Sequence, residues 1–583
     1  LNPFPARSEA DWRQAAEAAL KGVALEKLTS ITSDGVALGP LPAAPEGARA
    51  FRGESGPWKA LSRVDHPSAQ DFNAQALEDL ENGADGLDIV FAGSGAAYGF
   101  GLRDAGPASL QKAFDGVPFN AGARFHLDVA NAGQCEAFAA LVERSGAEAA
   151  IAFGLDPLGR RARSGAADPV EGALRATADS LRGRGFAGPF VAADARCVHD
   201  AGGTPAQELA FALSAGLSYL RTLEDPTTIE FRLAADADQI ATLAKFRAMR
   251  LLWGRVGQAC GLTPEPIRLS AYSAWRMMTA VEPYVNVMRA TMAAFAAGLG
   301  GADSVTLLPF SQAAGLPDAF ARRLARNTQL VELREARLGA VADPAAGAGG
   351  FEALTAGLCE KAWALFQSFE AAGGLEKALD QGVVQTAVNA AAAVLKRDVA
   401  RGKTPLTGVS AHPHLDADPV AVLPNEAAPA AVDAPGAVAP FRLSEPFERL
   451  RKAALRGGPS VFLAAIGPRS AHLPRLGFAR ETFTAGGVPV IAGAGAEGAD
   501  KLAEEFRRSG APIACLCGSD EAYTEHAEAV AAALRAAGAR ALYLAGRPGE
   551  RETAWRAAGI DGFVFVGADL VAALADAVGR AAG

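Results

Sequence analysis

Between residues 50 and 405, short runs rich in apolar and β-branched residues alternate with longer amphipathic stretches. The short runs fall at 87–91, 123–128, 149–153, 190–193, 267–270 and 304–308. Apolar positions recurring every three to four residues predict helices at 71–82, 135–145, 169–182, 205–220, 237–254, 285–298 and 317–335. So many βα units in one uninterrupted series favour a closed (β/α)₈ barrel over an open sheet, here over residues 49–410. In the helix near 240, a buried stripe is expected from Ile240, Leu243, Ala244, Ala248, Leu251 and Leu252. Lys245, Arg247, Arg250 and Arg255 would form a basic fringe with solvent or salt-bridge roles.

A second βα series fills residues 459–583. Strands are expected at 461–466, 488–491, 513–517, 541–544 and 562–566, with helices at 474–485, 498–509, 523–537, 550–557 and 568–578. Pro474 would open the first of these helices. The rhythm is that of a doubly wound, flavodoxin-like α/β sheet, a fold that places ligands at the carboxyl ends of its strands. Between the two series, residues 411–458 are rich in Pro, Ala and Asp and read as an extended linker that can wrap a domain surface. Residues 1–48 have too few apolar positions for a core. They predict a helix over 9–21 stopped by Gly22 and a hairpin over 27–41 around Asp34-Gly35. This is an N-terminal arm for subunit contacts, with Phe4 and Trp12 packing on the same subunit or on another.

Composition narrows the function. Half of the residues are hydrophobic and the formal charge is −9, so a large core is available and a nucleic-acid backbone finds little to bind. No apolar run reaches the roughly 18 residues of a membrane span. A soluble cytoplasmic protein with no nucleic-acid or membrane partner is expected. The six cysteines, Cys135, Cys197, Cys260, Cys359, Cys515 and Cys517, are scattered and form neither a disulfide scaffold nor a zinc set. Cys515 and Cys517 fall within a strand. Arg160-Arg161-Ala162-Arg163 reads as a solvated face.

Candidate chemistry is sparse. His66, His126, His199, His412, His414, His472 and His526 show no ligand spacing along one helix, and each reads as a surface or turn residue. Gly493-Ala494-Gly495-Ala496-Glu497-Gly498 has GxGxxG spacing. It follows the second strand of the last series, however, and no acidic residue ends the next strand to hold a ribose, so it reads as a permissive turn. No serine sits in a nucleophile elbow. His472, in GPRSAHLPRLG after the first strand of the last series, stands where a ring could either contact a ligand or serve the local structure.

Several stretches carry a family resemblance. GLGGADSVTLLPFSQAAGLPDAFARRLARNTQLVELREARLGAVADPAAG, HDAGGTPAQELAFALSAGLSYL, AKFRAMRLLW and EKAWALFQSFEAAGG together make the chain resemble the methylmalonyl-CoA mutase family over nearly its whole length. The resemblance implies a barrel that holds acyl-CoA along its axis, then a cobalamin-binding module. It also implies radical interconversion of (R)-methylmalonyl-CoA and succinyl-CoA started by adenosylcobalamin. The family's ISGYHxxEAG is represented by Arg196 and Cys197 in ADARCVHDAGG, and its SLHTN histidine by Thr306. Its QNDILK is replaced by Gly154-Leu155-Asp156-Pro157-Leu158. In the module, the family's DxHxxG becomes IGPRSAHLPRLG, with Arg469 at the aspartate and His472 one residue out of register. The segments that would line the nucleotide tail are Cys517-Gly518-Ser519 and Ala545-Gly546. These departures, and the opening NPFPARSEADWRQAAEAALKG, resemble the small non-catalytic (beta) subunit of the heterodimeric enzymes. That likeness implies no catalytic, cofactor-binding or metal residues in this chain and no cofactor of its own. A large catalytic subunit would carry adenosylcobalamin and acyl-CoA. The degenerate barrel would be filled by side chains, with Leu307 and Leu308 as apolar replacements. A self-sufficient acyl-CoA mutase with altered ligands and a non-enzymatic, chaperone-like protein of the same fold remain as alternatives.

Overall fold

The computed structural model describes residues 7–45, 47, 50–51, 55–165, 171–262, 266–415, 419–425, 436–495 and 498–582. Eight parallel strands form one sheet: β1 (Lys59–Val64), β2 (Gly86–Val90), β3 (Arg124–Asp128), β4 (Ala150–Ala152), β5 (Val191–Asp194), β6 (Ile229–Ala235), β7 (Arg268–Ser273) and β8 (Ser304–Thr306). They run in the order β4-β3-β2-β1-β8-β7-β6-β5. The two outermost strands meet through a Leu155–Val191 bridge. Phe153 N donates to Pro189 O at 2.9 Å and Ala192 N to Leu155 O at 3.0 Å, so the sheet closes on itself as a barrel.

Two of these strands are absent from the sequence-derived set. KALSRV carries Arg63, and IEFRLAA carries Glu230 and Arg232, whereas parallel strands covered on both faces usually read as continuous apolar runs. Here these three charges are buried and paired. The helix Gln239–Ala259 shows the same effect from outside. Leu243, Ala244, Ala248 and Leu252 are buried, but Ile240 and Leu251 are exposed, which corrects those two positions of the stripe. Lys245 and Arg247 of the fringe make salt bridges inside the core. Lys245 Nζ donates to Glu208 Oε2 at 2.5 Å and to Ala234 O at 2.7 Å. Arg247 donates to Asp343, Thr355 and Glu352. Carboxylates brought from distant helices make these cations core residues, and no pattern local to the helix encodes that.

The arm helix Glu9–Leu20 begins at a capping box between Ser8 and Asp11 and contains no buried residue. Its hairpin, Ser30–Ile31 against Ala37–Leu38, docks on the barrel. Val36 is buried against the helix Gly349–Ala371, where a side chain at Gly357 would strike it. Ala206 N donates to Asp34 Oδ1. Phe4 lies outside the described residues, as does Pro169, expected at the start of the helix that is described as Glu171–Gly183.

Within 411–458 the chain is not extended throughout, because Glu445–Gly457 is helical. Much of what precedes that helix is tied across the barrel's carboxyl-end mouth. Val422–Leu423 pairs with Leu316–Pro317, beyond β8, and Asn425 Nδ2 lies 3.4 Å from His66 Nε2, beyond β1. Further along, Val438 N donates to Ala162 O, Phe441 N to Asp200 O and Leu443 N to Arg276 O, at 2.8, 2.9 and 3.0 Å. Arg442 stacks over Trp275.

The terminal module has five parallel strands: β9 (Val461–Ala465), β10 (Val490–Ala492), β11 (Ile513–Cys517), β12 (Ala541–Ala545) and β13 (Gly562–Val564). Their order is β10-β9-β11-β12-β13, the doubly wound arrangement with its switch beside β9. Separate apolar clusters cover its two faces. Its first helix starts at Arg469, not Pro474, and continues through that proline to Ala485. Pro474 lies inside the helix, in its second turn, where it withholds one amide from the hydrogen-bond ladder.

Candidate functional site

Inward-facing residues of a barrel alternate along each strand, so the lumen can be read strand by strand. β1 supplies Arg63, with Asp65 just beyond it; β2 supplies Asp88; β3 supplies His126 and Asp128. β5 supplies Asp194 and leads into Arg196, while β6 supplies Glu230 and Arg232. β7 and β8 add Ser270, Tyr272, Ser304 and Thr306. All of them are buried, with Arg232 0%, Arg196 2% and Arg63 3% exposed. The expectation of a lumen filled by side chains describes this interior, but the filling is ionic, not apolar. Leu307 and Leu308 are buried and lie at one edge of the network.

The contacts are close and mostly bidentate. Arg196 Nε and Nη2 donate to Asp194 at 2.9 and 2.6 Å, and Nη2 also reaches Asp128 Oδ2 at 2.9 Å. The same guanidinium lies 3.9 Å from the ring centre of Tyr272. Arg232 grips Glu230 through Nε and Nη2 at 3.0 and 2.9 Å and donates to Leu127 O. The other Glu230 oxygen accepts from Ser270 and lies 3.0 Å from His126 Nδ1. Arg63 pairs with Asp65 at 2.8 Å. Burial raises the Asp194 carboxyl, but Arg196 and Arg163 outweigh it and hold the group well below the usual carboxylate range. Glu230 is lowered in the same way, chiefly by Arg232 and His126 acting against burial. Two acids go the other way: burial and then Asp128 push Asp88 up to about 6, and burial and then Asp194 push Asp156 up to about 7.

Arg163 also leaves the solvated face expected of it, lying 3.5 Å from Asp194 and 4.0 Å from Asp156, while Arg161 pairs with Glu376 and Asp380. A side chain on Gly95 would collide with the Arg163 guanidinium. Gly154, at φ +63°, sits so close to Leu127 O and Arg232 that no Cβ fits. The next residues serve structure: Asp156 caps the helix Pro157–Ser164, accepting from Gly159 N and, at 2.6 Å, from Tyr219 Oη. Cys197 is buried, its thiol pushed up by burial, with Sγ 3.6 Å from Asp194 O. Thr306 is buried, with no partner for its hydroxyl among the described residues.

Four histidines read as surface or turn residues are buried instead: His66, His126, His199 and His472. His199 lies between Asp236 and Glu208, at 3.0 and 3.3 Å, and so belongs to the ion network around Lys245. In the terminal module, His472 Nδ1 is 3.0 Å from Gly467 O. Along the same edge, Arg475 Nη1 donates to Gly518 O at 3.0 Å and its guanidinium lies over the Tyr523 ring at 4.9 Å. Tyr523 Oη donates to Leu516 O or Ala545 O and accepts from Gly518 N. Arg475 and Tyr523 therefore fill the space beside Gly518 and Gly546.

A family model for methylmalonyl-CoA mutase matches residues 190–434. A methylmalonyl-CoA mutase small subunit from Streptomyces virginiae is 38% identical, over 99% of this chain and 97% of its own length. The chain belongs to the methylmalonyl-CoA mutase family. A small subunit from Propionibacterium freudenreichii subsp. shermanii is 38% identical over 75% of this chain and 70% of its own. A methylmalonyl-CoA mutase from Cereibacter sphaeroides, 33% identical, matches only 39% of this chain and 33% of its own. The likeness to small subunits thus runs through arm, barrel and terminal module. Arg196 is held by Asp194 and Asp128, the Cys197 thiol beside it is buried, and Arg469 is an exposed cation at the start of a helix.

Among the described residues, no group of histidine, cysteine or carboxylate side chains is arranged to hold a metal. No helix among them is long and apolar enough to cross a membrane.

Proposed function

We propose that this chain is the non-catalytic small subunit of a heterodimeric methylmalonyl-CoA mutase. The large subunit binds the acyl-CoA and carries adenosylcobalamin, whose chemistry starts the rearrangement between (R)-methylmalonyl-CoA and succinyl-CoA. The observation that carries this reading is the barrel lumen. Where a catalytic barrel would admit a thioester and its pantetheine chain, this one holds Arg63, Arg196 and Arg232 with their carboxylates, roofed by residues 419–425 and 436–444. Admitting a ligand would mean displacing these side chains from Asp65, Asp128, Asp194 and Glu230.

The terminal module does not fit a cobalamin of its own. Arg469 stands where the family resemblance places the orienting acid, and Arg475 with Tyr523 takes the slot for the nucleotide tail. The residues 1–48 supply an interface: the arm helix buries nothing on this subunit, and Val23, Leu28, Ile31 and Leu41 are exposed, so a partner would cover them.

The test is co-expression with the large subunit of the same enzyme, measuring turnover and corrin content. The reading expects a stable heterodimer with a single corrin per pair, and a lone chain that is colourless and inactive. Cys197→His alone should stay inactive. Corrin absorbance retained by the isolated chain, or turnover of methylmalonyl-CoA by it, overturns the proposal.

A further inference from the structure

The terminal module has a second feature that the proposed role leaves unused. At the carboxyl ends of β9 and β10, beside the switch in strand order, lies a cavity of about 790 Å³. It is separate from the slot filled by Arg475 and Tyr523, neither of which lines it. Its size lies within the range of small-ligand sites, and its position is the one where open α/β sheets bind ligands. We propose that this cavity binds a nucleoside phosphate.

Three observations assign the phosphate end. The helix Arg469–Ala485 opens into the cavity, and its N-cap, Pro468, offers no side-chain acceptor. The amides of Arg469 and Ser470 have no acceptor among the described residues, and a long helix directs partial positive charge there. Arg469 lines the mouth with no ion pair among the described residues. His472 is 8% exposed, with Nδ1 held by Gly467 O. Its Nε2 has no protein partner among the described residues, and the ring faces the opposite wall, where a Cβ on Gly495 would lie 3.4 Å from Cε1. Nε2 is therefore left to water or to a ligand in the cavity. His526 adds a third basic side chain at the rim. The apolar end is lined by Leu473, Leu476, Leu502 and Val530, a surface suited to a flat base. Glu505, near the far wall, is engaged with Ala494 N.

The experiment titrates the full-length chain with ADP, and in parallel with inorganic phosphate and with adenosine, by calorimetry and thermal shift. ADP is expected to bind and raise Tm, with phosphate and adenosine each weaker by about tenfold or more, as loss of a charged hydrogen bond implies. Arg469→Glu should weaken ADP by about tenfold or more, and Ala529→Trp, a bulky group placed on the exposed part of the lining, should abolish binding. Both variants should match the unliganded Tm of the parent. No binding of ADP overturns the proposal. ADP binding left intact in both variants overturns it too, because the ligand is then elsewhere. Phosphate binding as tightly as ADP reduces the cavity to an anion site and overturns the nucleotide assignment.

Discussion

The barrel lumen and the carboxyl edge of the terminal sheet occupy the positions where their folds usually do chemistry, and this chain treats them differently. In the lumen, buried cations and carboxylates from five of the eight strands or their ends meet, and Arg63, Arg196 and Arg232 are each paired with a carboxylate. At the sheet edge, one slot is stopped by Arg475 stacked on Tyr523, while a neighbouring cavity stays open beside Arg469, which has no ion pair among the described residues. Buried charges can close a site only when each finds a partner, because an unpaired ion in a dry interior is far costlier than one in water. Near the surface, one long side chain can block a slot at little expense.

The contrast can be broken most directly at Arg196. Arg196→Ala leaves Asp194 and Asp128 buried and unpaired and is expected to cost about 3–5 kcal/mol, read from denaturant midpoints. If Arg196→Ala and Arg475→Ala cost the same, the lumen is not held as described and the comparison fails.

A smaller effect sharpens it through pH. Asp156 and Asp88 have folded pKa values raised to about 7 and about 6, against about 3.9 unfolded. Raised carboxyls contribute stability below their unfolded pKa and lose it as pH rises through the folded one. Through these groups the chain should lose stability between about pH 4 and about pH 7, on the order of 1 kcal/mol or more. Asp156→Asn keeps acceptors for Gly159 and Tyr219 and should flatten the fall in Tm over that window. An unchanged slope removes Asp156 from the account.

The smallest effect is expected at the terminal module. Arg475 pairs with Asp520, which is 77% exposed, so Arg475→Ala should cost about 1 kcal/mol or less. The same variant should still take up no hydroxocobalamin in an absorbance titration, because Arg469 and Tyr523 remain. Uptake would show that a single side chain blocks the slot.

The sequence made the architecture readable where burial is apolar. The strands of the terminal module, with runs such as IACLC and ALYLA, and the barrel strands built around LDIV and VAAD announce themselves. β1 and β6 do not, because Arg63, Glu230 and Arg232 break the apolar run that marks a covered parallel strand. The same blindness hid the site. His126, His199, Lys245 and Arg163 look like solvent residues until the fold delivers Glu230, Glu208 and Asp194 from far along the chain. A signal was present: single charges at alternate positions inside otherwise apolar runs, in RFHLD, VAAD and IEFRLAA, mark inward positions. Which charge meets which is set by barrel closure, and a linear pattern does not carry it.

The ion-filled lumen also bears on behaviour in the heat. Warming makes the hydration of ions less favourable, so the penalty for keeping them dry shrinks as temperature climbs. A barrel braced by Arg196, Arg232 and their carboxylates should therefore lose rigidity more gradually on heating than one packed only with aliphatic side chains, and could serve its assembly as the last part to melt.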